Sequence, residues 1–337
     1  MRLRPDQDAL DFGAGVRELL EQQCDAEALR AAWDSADGRV PGLWKRLADI
    51  GVTGLTVPEE HGGAGMDLTW ALPMLTAAGR AAAPEPLVET LAAARIVAAA
   101  GGAVASEWLP QVADGSAVLA MGPGPTGVVS AAASADLLLL ADDEAVWALP
   151  AAVVSVQQLP SVDTGVRLAT VEWSTKDAVA RIDPQVGESA YEWAVVATSA
   201  QLVGLAEAML DMAVRYALQR EQFGKPIGSF QAIKHQLADA YVGVAFARPV
   251  VNRAAWSVTR DLPSRARDAS HAKHVAAVAA GRAARTALQV HGAIGYTLEY
   301  ELSRWLLKVQ ALRSTWGPLR WHRDRVMTAL TPLGGSM

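Results

Sequence analysis

The chain has 337 residues, 51% of them apolar, with 30 Lys+Arg against 36 Asp+Glu and a formal charge of -6. That apolar content excludes a disordered chain, and the charge gives no electrostatic reason to meet nucleic acid or an anionic membrane surface. A single Cys, Cys24, forms neither an internal disulfide nor a Cys-rich zinc site, which fits a reducing cytoplasm.

The length suggests two or three domain-sized units, because one core rarely grows past about 250–300 residues. At the start, Met1-Arg2-Leu3-Arg4-Pro5-Asp6 has basic residues with no apolar stretch behind them, unlike a signal peptide. No stretch offers ~20 uninterrupted apolar residues, so no membrane-spanning helix is expected. Residues 1–117 read as an N-terminal helical domain, with Leu19, Leu20, Leu29, Trp33, Leu43, Trp44 and Leu47 at helix-like intervals and Pro41 where a helix could begin. The stretch 51–58 reads as a loop or short extended piece, and Gly62-Gly63-Ala64-Gly65 as a flexible turn. Gly101-Gly102 break the Ala-rich run before them.

Residues 118–187 change character. Short apolar runs at Val128-Val129, Leu137 to Leu140, Val146-Trp147, Val153-Val154 and Val171 to Trp173, set between Asp, Gly and Pro, are strand signals for a small, reduced β-domain. From 188 to 337 the pattern returns to long helices. Phe230, Ile233, Leu237, Tyr241 and Val244 lay an apolar face along one helix, which Pro249 should kink or divide. Ala272, Val275, Ala276, Ala279 and Ala283 lay a small-residue face along another. The expected order is mainly α, with a small β-domain between two helical domains.

Two polar breaks could carry chemistry. In Arg215 through Gln231 a helix ends near Arg220, a Gly/Pro loop follows, and a new helix starts at Ser229 as N-cap. An Arg at one helix end and open N–H groups at the next helix start suit an anion. From spacing alone, an ordinary interhelical turn with a solvated Arg is the favoured reading. The second break is Gln289-Val290-His291-Gly292-Ala293-Ile294-Gly295-Tyr296, where a helix carrying Arg282 and Arg285 runs into a loop. A flat ligand can approach backbone at Gly292, or Gly292 is simply a left-handed helix C-cap.

Together these stretches resemble the acyl-CoA dehydrogenase family. Leu43-Trp44-Lys45-Arg46-Leu47 through Gly51, continuing from Val57 to Gly65, is similar to one family block. Arg220 to Gln231 keeps every fixed position of R-x-x-F-G-x-x-[IL]-x-x-[FH]-Q, and Gln289 to Tyr296 is similar to Q-[IV]-x-G-G-x-G-[YF], with Ala293 for the second Gly. Glu107-Trp108-Leu109-Pro110 with Gly115 looks like the family's entry to its β-domain. The resemblance implies an N-terminal helical domain, a β-domain and a C-terminal four-helix bundle that oligomerises, and it implies FAD. Carried over by motif position, Arg220, Gln222, Phe223, Ile227, Phe230, Gln231, Gln289, Val290, Gly292 and Ala293 would hold the pyrophosphate and adenosine of a neighbouring subunit's flavin. Electrons would pass to an electron-transfer flavoprotein or a similar acceptor.

Family chemistry is α,β-desaturation of an acyl-CoA thioester, in which a Glu removes the α-proton while a hydride leaves the β-carbon for the flavin. Where members read Tyr-Glu-Gly-Thr-Ser, this chain has Thr315-Trp316-Gly317-Pro318-Leu319, so Trp316 stands at the base position and the flavin-contacting Thr-Ser pair is lost. The alternative base position falls at Ala194. Glu192 lies two residues away, a rotation of roughly 200° on a helix, so its side chain should face elsewhere. The family's Thr-Glu-Pro-x-x-Gly-Ser-Asp segment is here Gly122-Pro123-Gly124-Pro125-Thr126-Gly127, and its Trp-Ile-Thr/Ser segment is absent.

The losses are one-sided. Residues toward a neighbour's FAD are kept, while those toward this chain's own flavin ring and base are gone. This resembles the short companion subunits of heteromeric acyl-CoA dehydrogenases of bacterial steroid side-chain degradation, built from two catalytic and two companion subunits. A flavin-free scaffold and a self-sufficient flavoenzyme with a displaced base are the alternatives. Trp316 fills the emptied pocket or is a core residue of the bundle. His271 and His274 are spaced as a metal pair but have only Asp268 nearby, and Arg265, Arg267 and Asp268 read as a solvated loop and helix start.

Overall fold

The computed structural model describes residues 4–122 and 127–331. The fold is mainly helical with a small β region. Six helices come first: α1 (Gln7–Gln23), α2 (Ala26–Asp34), α3 (Leu43–Asp49), α4 (Leu68–Arg80), α5 (Leu87–Ala100) and α6 (Gly102–Ala113). Seven strands follow: β1 (Leu119–Gly122), β2 (Val128–Ser130), β3 (Leu137–Ala141), β4 (Val146–Pro150), β5 (Ser155–Leu159), β6 (Leu168–Glu172) and β7 (Ala180–Ile182). Then come α7 (Pro184–Gln219), the two-residue strands β8 (Glu221–Gln222) and β9 (Lys225–Pro226), α8 (Gln231–Thr259), α9 (Arg265–His291), α10 (Leu302–Ser314) and α11 (Leu319–Leu330). The chain forms two compact units: Gln22–Ala71 with Ala83–Ala194, and Met1–Glu21 with Leu72–Ala82 and Val195–Met337.

In the unit containing the strands, β1, β3, β4 and β7 form one sheet, with β1 parallel to β3 and the other pairs antiparallel; β2, β6 and β5 form a second, antiparallel sheet. Leu137 through Leu140 are all buried, so β3 reads as a continuous apolar run rather than an alternation. Leu138, Leu140, Leu149, Val129 and Ala169 pack into one core. The expected strand at Val153-Val154 begins instead at Ser155, because Ala151–Val153 is a turn of 3-10 helix. The stretch 51–58 contains no strand. Helices are tied to the unit by side chains that find backbone partners: Trp44 Nε1 donates to Gly115 O (3.0 Å), Thr53 Oγ1 to Ala113 O (3.0 Å) and Thr90 Oγ1 to Leu119 O (3.1 Å). Such bonds meet the carbonyls that helix ends and sheet starts leave open.

In the other unit, α8 and α9 form an antiparallel hairpin of near-equal length, joined by residues 260–264. Their seam on α8 runs through Ile233, Leu237, Ala240, Val244, Ala247, Val251, Ala254 and Val258; on α9 it is built of Ala272, Ala276, Ala279, Ala280, Ala283 and Ala287. The expected stripe thus holds on α9 apart from half-buried Val275, but on α8 it passes through Ala240 and leaves Tyr241 in solvent. A small residue at that turn lets the helices close, and the bulky phenol would hold them apart. Pro249 does not divide α8, which continues to Thr259. Asp268 is not solvated: it is buried against Arg267 (2.9 Å), Arg253 (3.3 Å) and the Ser264 hydroxyl (2.8 Å).

Among the described residues one helix, α7, is long and apolar enough by length and composition to cross a membrane, but 94% of its apolar window is buried inside the protein, as in a core helix. Its residue Gly204 crosses the α4 segment so closely that an added Cβ would stand 2.0 Å from Thr76 O, and Gly79 meets Gln201 O at 2.1 Å. Neither backbone can yield. Gly204→Ala is therefore expected to destabilise the protein by about 2–3 kcal/mol in urea unfolding, whereas Gly243→Ala, with open space at its Cβ position, should be neutral or mildly stabilising.

Candidate functional site

The hairpin of α8 and α9 decides which ends meet. At 1.5 Å per residue, helices of 29 and 27 residues run about 44 and 40 Å. Being antiparallel, they bring the start of α8 and the end of α9 to one end of the bundle. Gln231 and the Gln289–Gly292 segment therefore lie at the same end, although they are far apart in sequence.

The Arg220 arm is a β-hairpin. Arg220 N–H donates to Tyr216 O (2.8 Å) at the end of α7, and Ile227 N–H donates to Arg220 O (2.8 Å), closing its base. Its two-residue turn is Phe223-Gly224, both at positive φ (56° and 76°). That conformation suits the twist of a tight hairpin and is normally filled by Asn-Gly or Gly-Gly. A Phe there is strained, and its ring is 92% exposed. It stands edge-on to Phe230 (6.2 Å), over which Lys225 Nζ sits at 4.5 Å. Arg220 is exposed, and among the described residues its guanidinium forms no ion pair or hydrogen bond. Gln222, Gln231 and Gln289 are exposed, Ile227 and Phe230 half-buried, and Val290 buried.

The helix after the hairpin does not start at Ser229. Ile227–Ser229 form a 3-10 turn, Phe230 is the cap residue, and no side chain caps the first turn of α8. The positive end of the helix dipole is left open beside an unpaired Arg, a setting that favours an anion. On the other arm Gly292 ends α9 at φ 65°, ψ −142°, not in the expected left-handed well but in a region that only Gly occupies readily. A Cβ added to Gly292 would meet nothing, so its backbone can be approached closely. Ala293 is exposed in the 3-10 turn that follows. Between the two arms lie three packed rings: His291 stacks on Tyr216 (4.4 Å, 30°) and tilts against Tyr300 (5.1 Å).

Residues 312–322 form a different kind of structure. Trp316 is buried with φ 60°, and Gly317 follows at φ 107°. Two buried cations or potential cations hold this turn. Lys273 of α9, with no exposed surface, donates its Nζ to Leu312 O (2.6 Å) and Thr315 O (2.7 Å). His322 of α11, equally buried, donates Nε2–H to Trp316 O (2.9 Å). Burial pushes the Lys273 ammonium down to about 7; burial, followed by the charge of Lys273, pushes the His322 imidazole down to about 4. Sequence reading missed both residues, since a Lys and a His on helices carry no sign of depth.

Family models match two spans: acyl-CoA dehydrogenase, N-terminal domain, over residues 6–116, and acyl-CoA dehydrogenase, C-terminal domain, over 188–331. The acyl-CoA dehydrogenase IpdE2 of Mycolicibacterium smegmatis is 33% identical over 312 residues, 92% of this chain and 95% of the relative. The chain belongs to the acyl-CoA dehydrogenase family. Among solved structures, the ChsE4-ChsE5 complex from Mycobacterium tuberculosis superposes with a TM-score of 0.90 at 27% identity, covering 98% of this chain and all of that one. A steroid acyl-CoA dehydrogenase, Tcur3481-Tcur3483 in its G363A variant, gives 0.88 at 25%, covering 96% and 97%.

Neither Trp316 nor Ala194, where the resemblance leads one to expect the base, offers a proton acceptor. Position 316 holds a buried indole, and Ala194 is buried on α7. Glu192 is buried too, on another face of the same helix. The departed 122–127 segment lies mostly outside the described residues. Among the described residues no group of three or more His, Cys, Asp or Glu could hold a metal, His271 and His274 included.

The turn lock gives a pH prediction. Between pH 6.5 and about 4 an unfolded chain protonates His322 while the folded one does not, so stability falls as pH drops through that window, by up to about 3 kcal/mol. Urea titrations from pH 7 to 4 should show this slope, and His322→Asn should flatten it.

Proposed function

We propose that this chain is the companion subunit of a heteromeric acyl-CoA dehydrogenase, completing the FAD site of a partner subunit that carries the catalytic carboxylate. The observation that carries the reading is an asymmetry within one unit: an exposed, unpaired Arg220 on an ordered hairpin, against a base position closed by a locked Trp316 turn. The proposed division is a helical domain over 1–117, a reduced β-domain over 118–187 and a bundle over 188–337.

The residues present suit the cofactor. Arg220 and the uncapped start of α8 would hold the pyrophosphate; Gln222, Gln231 and Gln289 can donate and accept hydrogen bonds; Gly292 leaves its backbone open to a flat group. Phe223, Ile227, Phe230, Val290 and Ala293 would supply the apolar part of the same cradle. FAD, when bound, takes up the hydride of the desaturation. This chain's residues bind and orient it, and the α-proton is removed by the partner. The exposed apolar side chains Tyr241, Val242 and Phe246 on α8 give a partner subunit a surface to cover. Of the two fold neighbours, ChsE4-ChsE5 is a complex and Tcur3481-Tcur3483 a steroid enzyme, which supports two plus two subunits acting on a steroid side-chain CoA ester. An electron-transfer flavoprotein as acceptor and a cytoplasmic location complete the reading.

Expressed alone, the chain is expected to purify with little flavin and without acyl-CoA oxidation; co-purified with its catalytic partner it should hold FAD. Arg220→Ala should lower the FAD content of that complex at least several-fold while leaving the melting temperature of the lone chain within about 2 °C, as for a surface substitution. Stoichiometric FAD with full turnover in the lone protein would overturn the shared site.

Phe223→Asn offers a second check. It relieves the strained turn and removes the exposed ring, so the lone chain should gain up to about 1 kcal/mol while FAD retention in the complex declines.

A further inference from the structure

The two arms of the clamp are weakly held by their own contacts. The hairpin has strands of two residues each, and its tip is nearly all exposed. The loop after α9 is a short 3-10 turn in which only Gly295 is buried. Something beneath them must set their spacing. The three rings under the arms are placed to do so. Tyr216 lies in the last turn of α7, and its carbonyl accepts the N–H of Arg220 itself (2.8 Å). His291 is the last residue of α9 and adjoins Gly292. Only 4% of His291 is exposed; Nδ1–H donates to Ala287 O (2.7 Å), which fixes the ring's tilt and leaves Nε2 buried without a partner. Tyr300, just before α10, tilts against the same imidazole (5.1 Å) and stands edge-on to Tyr216 (6.5 Å), so the three rings close into one cluster.

We propose that His291 is a positioning residue: its imidazole, packed against both Tyr216 and Tyr300 in a three-ring cluster, holds the Arg220 hairpin and the Gly292 loop in one register. The function of that register, though not its existence, rests on the reading of the two arms as a nucleotide clamp. Stacked aromatic pairs of this separation resist sliding, so a displacement of either arm must break ring contacts as well as backbone ones. The consequence is coupling. A change at residue 291 should be felt on the hairpin, more than sixty residues earlier in the chain, and a change at Tyr216 should be felt at Gln289 to Ala293.

Hydrogen exchange on the full chain reads this directly. His291→Ala should speed exchange of the amides at 220–227 on the order of 10-fold, with the cores of α8 and α9 unchanged, while His291→Phe, which keeps a ring in the slot, should restore protection. Tyr216→Leu should speed exchange at 289–296 in the same way, and it keeps the test open if His291→Ala folds poorly. Unchanged hairpin exchange in His291→Ala, or no rescue by Phe, would overturn the proposal. In the complex with its catalytic partner, FAD affinity should fall about 10-fold with His291→Ala and recover with Phe. Faster exchange with undiminished FAD affinity would confirm the coupling and overturn the clamp reading instead, so the two fail separately.

Discussion

Close approach of α8 and α9 is the constraint on which the C-terminal unit depends. Alanines line α9 along its buried face, and α8 answers with Ala240, Ala247 and Ala254 between valines. Small side chains let two long helices lie side by side over their whole length, and dispersion summed along that seam keeps them there. Because the helices are antiparallel and nearly matched in length, their far ends coincide. Everything placed at that end, the Arg220 hairpin, the start of α8 and the loop at Gly292, inherits its position from a seam of methyl groups.

The same packing creates the opposite situation at residues 312–322. Lys273 sits in the face of α9 that α10 and α11 cover, where its ammonium finds no water. A buried donor group must find acceptors, and the last carbonyls of α10 are the ones available. Once Leu312 O and Thr315 O are bound to Nζ, and Trp316 O to His322, the turn has no freedom to open. The Trp316 turn is held shut by hydrogen bonds from two sides.

Backbone strain marks both places. Phe223 and Trp316 are large residues at positive φ, each followed by a glycine also at positive φ. Such conformations persist only when the surroundings over-determine them. Around Trp316 the cause is visible in the buried donors. Around Phe223 the ring is in solvent, and among the described residues the hairpin closure and the edge contact with Phe230 hold it. The strain at Trp316 is explained by packing, whereas the strain at Phe223 is displayed at the surface on the hairpin that carries Arg220.

The sequence by itself determined the class of fold and singled out the residues expected to meet a flavin. Its spacing of apolar positions placed the long helices, Gly101-Gly102 divided α5 from α6, and Arg220 through Gln231 stood out as a motif, because these features are local and depend on periodicity, glycine and proline. It also led to the expectation that Trp316 stands where a base would be. It misplaced what depends on neighbours: the start of α8, the seam at Ala240 rather than Tyr241, the unbroken passage of α8 through Pro249, the strand at Ser155 and the buried Asp268. Only the tertiary structure decided that Arg220 has no partner among the described residues, that Lys273 and His322 lock the Trp316 turn, and that His291 stacks on Tyr216. Burial and contact between residues far apart in the chain are set by how helices pack, and no local pattern of side chains encodes the depth at which each will lie.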